Sequence, residues 1–207
     1  MTNNLCVILG DQLSPNISSL KDFKKNQDKI LMMEVFNEAE YTDHHKKKLV
    51  LVFSAMRHFA KELQNKGFSV KYSKINESKE DFTKELAYQC KKIQPKRVVI
   101  THPGEYRVLQ EIKKWKRILN IPVSIIEDNR FFCTIDEFKK WTEGRKELRM
   151  ELFYQMMRKK YHILIDKNGK PKGGKWNYDI KNRKSLPKNY SDIPNPLLHK
   201  PDNITKQ

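Results

Sequence analysis

Cysteine is scarce in this chain, glycine is sparse, and no apolar run is long. Cys6, Cys90 and Cys133 are an odd, widely scattered set with no C-x-x-C pair. That pattern points to a reducing cytoplasm and argues against a zinc or iron–sulfur site built by these residues alone. No apolar stretch approaches the roughly 20 residues that span a bilayer, so no membrane partner is expected. The start, MTNNLCVILGDQL, lacks a basic region ahead of its short apolar stretch and does not read as a secretion signal. No G-x-G-x-x-G follows the first apolar run and no Walker A loop exists, so the usual phosphate cradles are missing. The histidines His44, His45, His58, His102, His162 and His199 lie in different settings, none beside a glycine-framed nucleophile. A self-contained enzyme is not visible.

Positive charge, by contrast, is abundant. The 207 residues have a formal net charge of +17, with 38% hydrophobic and 32% charged residues. The length suits one good core with a small appendage, and apolar runs are frequent enough to exclude global disorder. From Arg158 to Gln207, thirteen Lys/Arg stand against four Asp, so about half of the excess lies in the last quarter. A polyanion partner follows, because each neutralised phosphate releases counterions. A lysine-rich genome would raise lysine everywhere without functional meaning. The tail differs because glycine and aromatics come with its charge.

Leu5–Leu9 is an unbroken apolar run stopped by Gly10-Asp11, as in a strand buried on both faces of a parallel sheet. Ile30–Phe36 is a second such run. Leu49, Val52, Phe53, Met56, Phe59, Ala60 and Leu63 then recur at helical spacing, with Gly67 placed for a left-handed C-terminus. Phe68, Val70 and Tyr72 alternate as a strand. Phe82 to Ile93 reads as a helix ended by Pro95, Val98–Thr101 as a strand, Leu109 to Leu119 as a helix and Val123–Ile126 as a fifth strand. This alternation predicts a Rossmann-like, three-layer α/β/α fold with a five-stranded parallel sheet. Thr134-x-x-Glu137 is a capping-box signature opening a further helix, and Leu148 to Met157 makes another. From Ile165 the periodicity fades and five of the nine prolines fall, which reads as a long basic connector. The expected divisions are 1–130, an α/β core; 131–164, a helical extension; and 165–207, a basic tail.

Ligands of open parallel sheets bind outside the carboxyl ends of the strands. Those ends read Gly10-Asp11-Gln12, Glu34-Val35 with Glu38, Pro103-Gly104-Glu105, and Glu127-Asp128-Asn129. The rim is acidic and amide-bearing over an apolar floor that includes Met32 and Met33. It suits an uncharged polyhydroxylated or heteroaromatic ligand better than a phosphate. Taken alone, Gly10-Asp11 also fits an ordinary strand-ending turn, and Glu34 and Glu38 also fit solvated surface. His44-His45-Lys46-Lys47-Lys48 places three cations at the start of a helix, against its dipole. Either the helix begins earlier, near Thr42-Asp43, or an anionic or domain partner faces that end.

The strings VILGDQLS, EVFNEAEYTDHHKKKLVLVFSAMRHFAKEL, PGEYRV, EGRKELRMELFYQMMRK and GGKWNYDIKNRK occur in order. Together they resemble the start of the deoxyribodipyrimidine photolyase-related proteins, the bacterial iron–sulfur (6-4) photolyases and cryptochromes. The resemblance runs from about Leu5 to Gln207. It implies a light-harvesting α/β domain holding 6,7-dimethyl-8-ribityllumazine, with Gly10, Asp11, Met33, Glu34, Val35, Glu38, Gly104 and Glu105 around the chromophore. Asp11 and Glu38 are the expected polar anchors. It further implies that a helical C-terminal domain, absent from these residues, binds FAD and a [4Fe–4S] cluster and repairs UV-damaged DNA. On this reading the chain is a fragment, a truncated product or half of a split protein. The tail resembles the family's interdomain loop, with Lys175, Lys181, Arg183 and Lys184 on phosphates. Trp176 and Tyr178 would pack on the neighbouring domain or on a displaced nucleotide. A rival from another class is a stand-alone basic α/β module that binds nucleic acid without catalysis. A small nucleotide-binding enzyme is disfavoured by the missing phosphate loops.

Overall fold

The computed structural model describes residues 2–207, apart from the side chains of Ile180 and Lys181. Five strands form one sheet: β1 Asn4–Val7, β2 Lys29–Met33, β3 Val70–Ser73, β4 Arg97–Thr101 and β5 Val123–Ile126. Among the described residues six α-helices accompany them: α1 Phe36–Glu40, α2 Lys46–Asn65, α3 Phe82–Ile93, α4 Tyr106–Leu119, α5 Ile135–Thr142 and α6 Met150–Lys160. The strand order is β3-β2-β1-β4-β5 and every pair is parallel. This is the α/β Rossmann-like fold that the sequence predicts. No helix among the described residues is long and apolar enough to cross a membrane.

The unbroken apolar runs are explained by burial on both faces. Leu5 and Val7 of β1 join Phe82, Leu86, Val108, Ile112 and Trp115 of α3 and α4 in one core. Cys6 and Ile8 face the other way, onto Met56, Phe59, Ala60 and Leu63 of α2. Each fully buried Leu or Ile stabilises the fold by about 1.5–3 kcal/mol. Trp115, fully buried, donates its indole N–H to Thr83 Oγ1 at 2.9 Å, so its one polar atom is satisfied.

Local chemistry sets the helix limits. Asp81 caps α3 by accepting from the Lys84 N–H at 2.7 Å, and α3 ends at Gln94 in the left-handed region, just before Pro95. Thr134 Oγ1 accepts from the Glu137 N–H at 3.0 Å at the start of α5. Two expectations need correction. The run Ile30–Phe36 is not one strand: β2 stops at Met33, and Phe36 opens α1. Glu34 still donates its N–H to the Ser73 carbonyl at 2.9 Å, and the pairing ends there as the chain turns through Val35 into α1. Nor does α2 begin near Thr42–Asp43. Its N-cap is His45, whose Nδ1 accepts from the Lys47 N–H at 3.1 Å, so Lys46, Lys47 and Lys48 do occupy the first turn.

The chain divides into two compact units, Met1–Arg130 with Pro201–Gln207, and Phe131–Lys200. In the first, the last residues lie on α2 and β3's end. Ser54 and Thr205 hydroxyls are 2.8 Å apart, His58 Nε2 lies 2.6 Å from Asp202, and Lys74 donates to Gln207 at 3.0 Å. The second holds α5, α6, an antiparallel bridge between Ile165 and Pro171, and a 3-10 turn at Asp179–Arg183. Phe138, Trp141 and Phe153 pack there with ring centroids 5.0–5.7 Å apart.

Candidate ligand site at the carboxyl edge

The strand order turns outward in both directions from the β1–β4 pair, and ligands of open α/β sheets occupy the crevice above such a point. A cavity of about 430 Å³ lies there, within the usual range of about 300–1,000 Å³ for small-molecule sites. Gly10 and Asp11 enter it after β1, Met33, Glu34 and Val35 after β2, Glu38 from α1, and Gly104 and Glu105 from the turn before α4. The topology thus brings all eight sequence candidates to one hollow.

Both glycines keep that hollow open. A Cβ on Gly10 would lie 3.0 Å from Met56 Sδ, and one on Gly104 would lie 3.3 Å from Asp11 Oδ2. The apolar wall is supplied by Leu49, Val52, Phe53 and Met56 of α2. Sequence reading placed these residues on a helix face without assigning them to a cavity, since a stripe over a sheet and a stripe over a hollow look alike. Tyr41, His44 and Lys48 also line the site; Tyr41 carries no signal in the sequence, while the His44–Lys48 run stood out only as a surface facing an anionic or domain partner.

The carboxylates differ in how they are held. Glu34 is 1% exposed and receives Arg57 Nε at 2.6 Å and Nη2 at 2.8 Å, the Tyr72 hydroxyl at 2.6 Å and the Ile75 N–H at 3.0 Å. Burial alone would raise its pKa, but these donors outweigh it and hold the carboxyl below its ordinary value. Its oxygens are therefore committed to the scaffold. Glu38 accepts from Arg107 Nη1 and Nη2, both at 2.7 Å, and Arg107 also reaches Glu105 at 3.1 Å. The hydrogen bond to Glu38 raises the Arg107 pKa further. The guanidinium lies 4.6 Å from the centre of the Tyr41 ring, which meets His44 edge-on at 5.0 Å. Lys48 Nζ sits 3.1 Å from His44 Nδ1. Asp11 is exposed, with Oδ2 3.7 Å from Arg130, whose guanidinium also donates to the Asp11 carbonyl.

Other rim residues belong elsewhere. Gln12 is fully buried: its Nε2 donates to the Thr101 and His102 carbonyls at 3.0 and 3.3 Å, and its Oε1 accepts from the Leu9 N–H. It fixes the spacing of β1 and β4 and offers nothing to a ligand. Met32 faces the opposite core. Asp128 pairs with Arg130 at 2.7 Å, and Asn129 donates to the Asn16 carbonyl. Burial pushes the Cys6 thiol up to about 12 and Cys90 up to about 11, so neither is a thiolate at neutral pH.

The basic stretch lies in the second unit. Lys175, Arg183 and Lys184 are exposed, while the Lys181 side chain lies outside the described residues. Trp176 is half-buried, with Arg158 and Lys159 over its ring at 5.1 and 5.4 Å. The Tyr178 hydroxyl donates to the Gly173 carbonyl at 2.8 Å. It occupies the space a Cβ on Gly173 would need, at a backbone φ of +80°.

Fold and cavity together define an open α/β unit on the dinucleotide-domain plan, with a hollow of small-molecule size at its carboxyl edge and no phosphate loop. The chain belongs to the deoxyribodipyrimidine photo-lyase-related protein family, whose model matches residues 6–207. It is 42% identical over 208 residues to a (6-4) photolyase from Agrobacterium fabrum, covering 99% of this chain and 40% of that protein. An uncharacterized protein of Acanthamoeba polyphaga mimivirus is 29% identical over 148 residues, covering 68% of this chain and 71% of its own length. The chain therefore spans well under half of the photolyase it resembles.

Proposed function

We propose that the first unit holds an antenna chromophore, 6,7-dimethyl-8-ribityllumazine, for a photolyase-type protein acting on UV-damaged DNA. The observation that supports this reading is the convergence of Gly10, Asp11, Met33, Glu34, Val35, Glu38, Gly104 and Glu105 on one cavity. The donor set fits the molecule. Met33, Val35, Val52 and Phe53 offer apolar faces to a flat heterocycle, and the two glycines leave room for it. Asp11 and Glu38 would accept hydrogen bonds from ribityl hydroxyls, and Lys48 and His44 add polar groups to the lining. When bound, the lumazine supplies near-UV absorption whose energy would serve a reduced flavin in a helical, [4Fe–4S]-bearing domain of the longer protein. On the same reading the exposed Lys175, Arg183 and Lys184 of the second unit would add salt-sensitive phosphate contacts.

The test is direct. The purified chain is titrated with the lumazine while near-UV absorption and fluorescence are recorded. A saturable spectral change that is lost in Gly10→Val supports the reading, and unchanged spectra for the wild-type chain sink it. The net charge of +17 favours a second reading, a basic module without chromophore. Equal affinity for damaged and undamaged duplex, with no lumazine signal, would favour that module.

A further inference from the structure

The opposite edge of the same sheet gathers cations. In a parallel α/β unit the strands start where the helices end, and here the loop before β2 adds to that edge. Lys21, Lys24, Lys25, Lys66, Lys96 and Arg97 are all exposed there. The backbone knits them together. The Asn3 N–H donates to the Gln27 carbonyl at 2.8 Å, the Arg97 N–H to Asn3 at 3.2 Å, and Lys25 Nζ to the Lys66 carbonyl at 2.6 Å.

Acids do not balance this patch. Asp28 is buried, and its carboxylate accepts from the Asn4 N–H at 2.9 Å and the Lys24 N–H at 2.8 Å. It organises the loop instead of facing outward. Glu62 is taken by Lys66, and Asp22 is the remaining exposed acid in the segment Lys21–Lys29. Helix ends attract cations for their own stability, which accounts for Lys91 and Lys92 of α3 and Lys116 and Arg117 of α4. It does not account for the loop lysines or for Lys96 and Arg97, which open a strand.

Beside the patch lies a groove of about 600 Å³, lined by Asn4, Ser18, Lys21, Arg97, Ser124 and Asn129 together with the carboxylates of Asp22 and Asp28, the latter held by its backbone donors. Its aromatic neighbour, Phe23, packs on Phe68 at 5.2 Å and does not project as a stacking platform. We propose that this amino edge is a nucleic-acid backbone-binding face, separate from the tail, that takes phosphates without reading bases. The inference is independent of the chromophore.

The test uses the full chain and a short fluorescent duplex, with affinity measured by anisotropy across a salt series. In the combined variant Lys21→Gln, Lys24→Gln and Lys96→Gln, the slope of log affinity against log salt falls by about 2 to 3, at about 0.9 per lost phosphate contact. A single-stranded probe gives a fall of about 2. A charge-matched control at the carboxyl edge, Lys46→Gln, Lys47→Gln and Lys79→Gln, leaves both slopes unchanged. Circular dichroism confirms that both variants fold. An unchanged slope in the first variant, or an equal fall in the control, overturns the proposal. So does loss of binding to phosphatidylserine vesicles with DNA binding intact, which would assign the patch to a membrane surface.

Discussion

The two edges of the sheet share the same strands and handle charge in opposite ways. At the carboxyl edge three anions are each held by an arginine: Glu34 by Arg57, Glu38 by Arg107, Asp128 by Arg130. At the amino edge the cations outnumber exposed acids: Lys66 holds Glu62, Lys25 reaches the Lys66 carbonyl and Arg97 the Asn4 side chain. Paired charges fix positions to within a hydrogen bond and cancel at a distance. Like charges spread over an edge fix little but add into a field that reaches about 8–10 Å at ordinary ionic strength. One edge is built to hold a shape, the other to attract.

The largest effect should come from breaking the buried pair. Arg57→Met leaves Glu34 buried beside only Tyr72 and the Ile75 N–H, and should cost about 3 kcal/mol of unfolding free energy in a urea titration. A loss under about 1 kcal/mol would mean that Glu34 is no organising centre. Next comes the cavity itself. Gly10→Val should weaken lumazine binding at least about tenfold, or about 1.4 kcal/mol, and Gly104→Ala by about threefold. Equal affinity in all three chains would place the ligand elsewhere.

Arg107→Ala separates position from stability within that edge. Its partner contacts are partly solvated, with 43% of the Arg107 side chain exposed, so the stability loss should stay below about 1 kcal/mol. Ligand affinity should fall more than stability does, because Glu38 loses its fixed orientation. A stability loss matching that of Arg57→Met would erase the distinction between the two pairs.

The smallest effect is a pH response. The hydrogen bond to Asp202, then that to the Ser54 carbonyl, raises the His58 pKa above 6.5, and the Thr205 N–H and then His58 lower Asp202 below 3.8. The histidine's contribution is complete below pH 6.5 and is lost as pH rises through its raised pKa. The aspartate's contribution is complete above pH 3.8 and is lost as pH falls through its lowered one. Amide protection in Pro201–Gln207 should therefore be greatest between these limits and decline as pH rises through the raised His58 value. His58→Gln should flatten the upper limb, and an unaltered limb would assign it to another group.

The strands were legible because burial on both faces leaves no room for polar alternation, as Leu5–Val7 and Val98–Ile100 show. Glu34 misled because its carboxylate is satisfied by residues 23 and 38 positions away, which no local pattern reveals. The cavity's residues at strand ends could be anticipated from the topology of parallel sheets. The α2 wall and the Arg107–Glu38 pair, 69 residues apart, could not. The amino-edge cations were hidden for a similar reason: they come from separate short segments, and only strand order assembles them.

The path of the chain has one more consequence. Residues 131–200 leave the first unit after Arg130 and the chain rejoins it at Pro201, so the excursion is anchored at both of its ends. Cutting that loop once exchanges an intramolecular docking of Pro201–Gln207 for a bimolecular one, with the loss of effective concentration that implies. A circular permutant opened inside residues 131–200 would escape that penalty, because its joined termini keep Pro201–Gln207 covalently tied to the first unit.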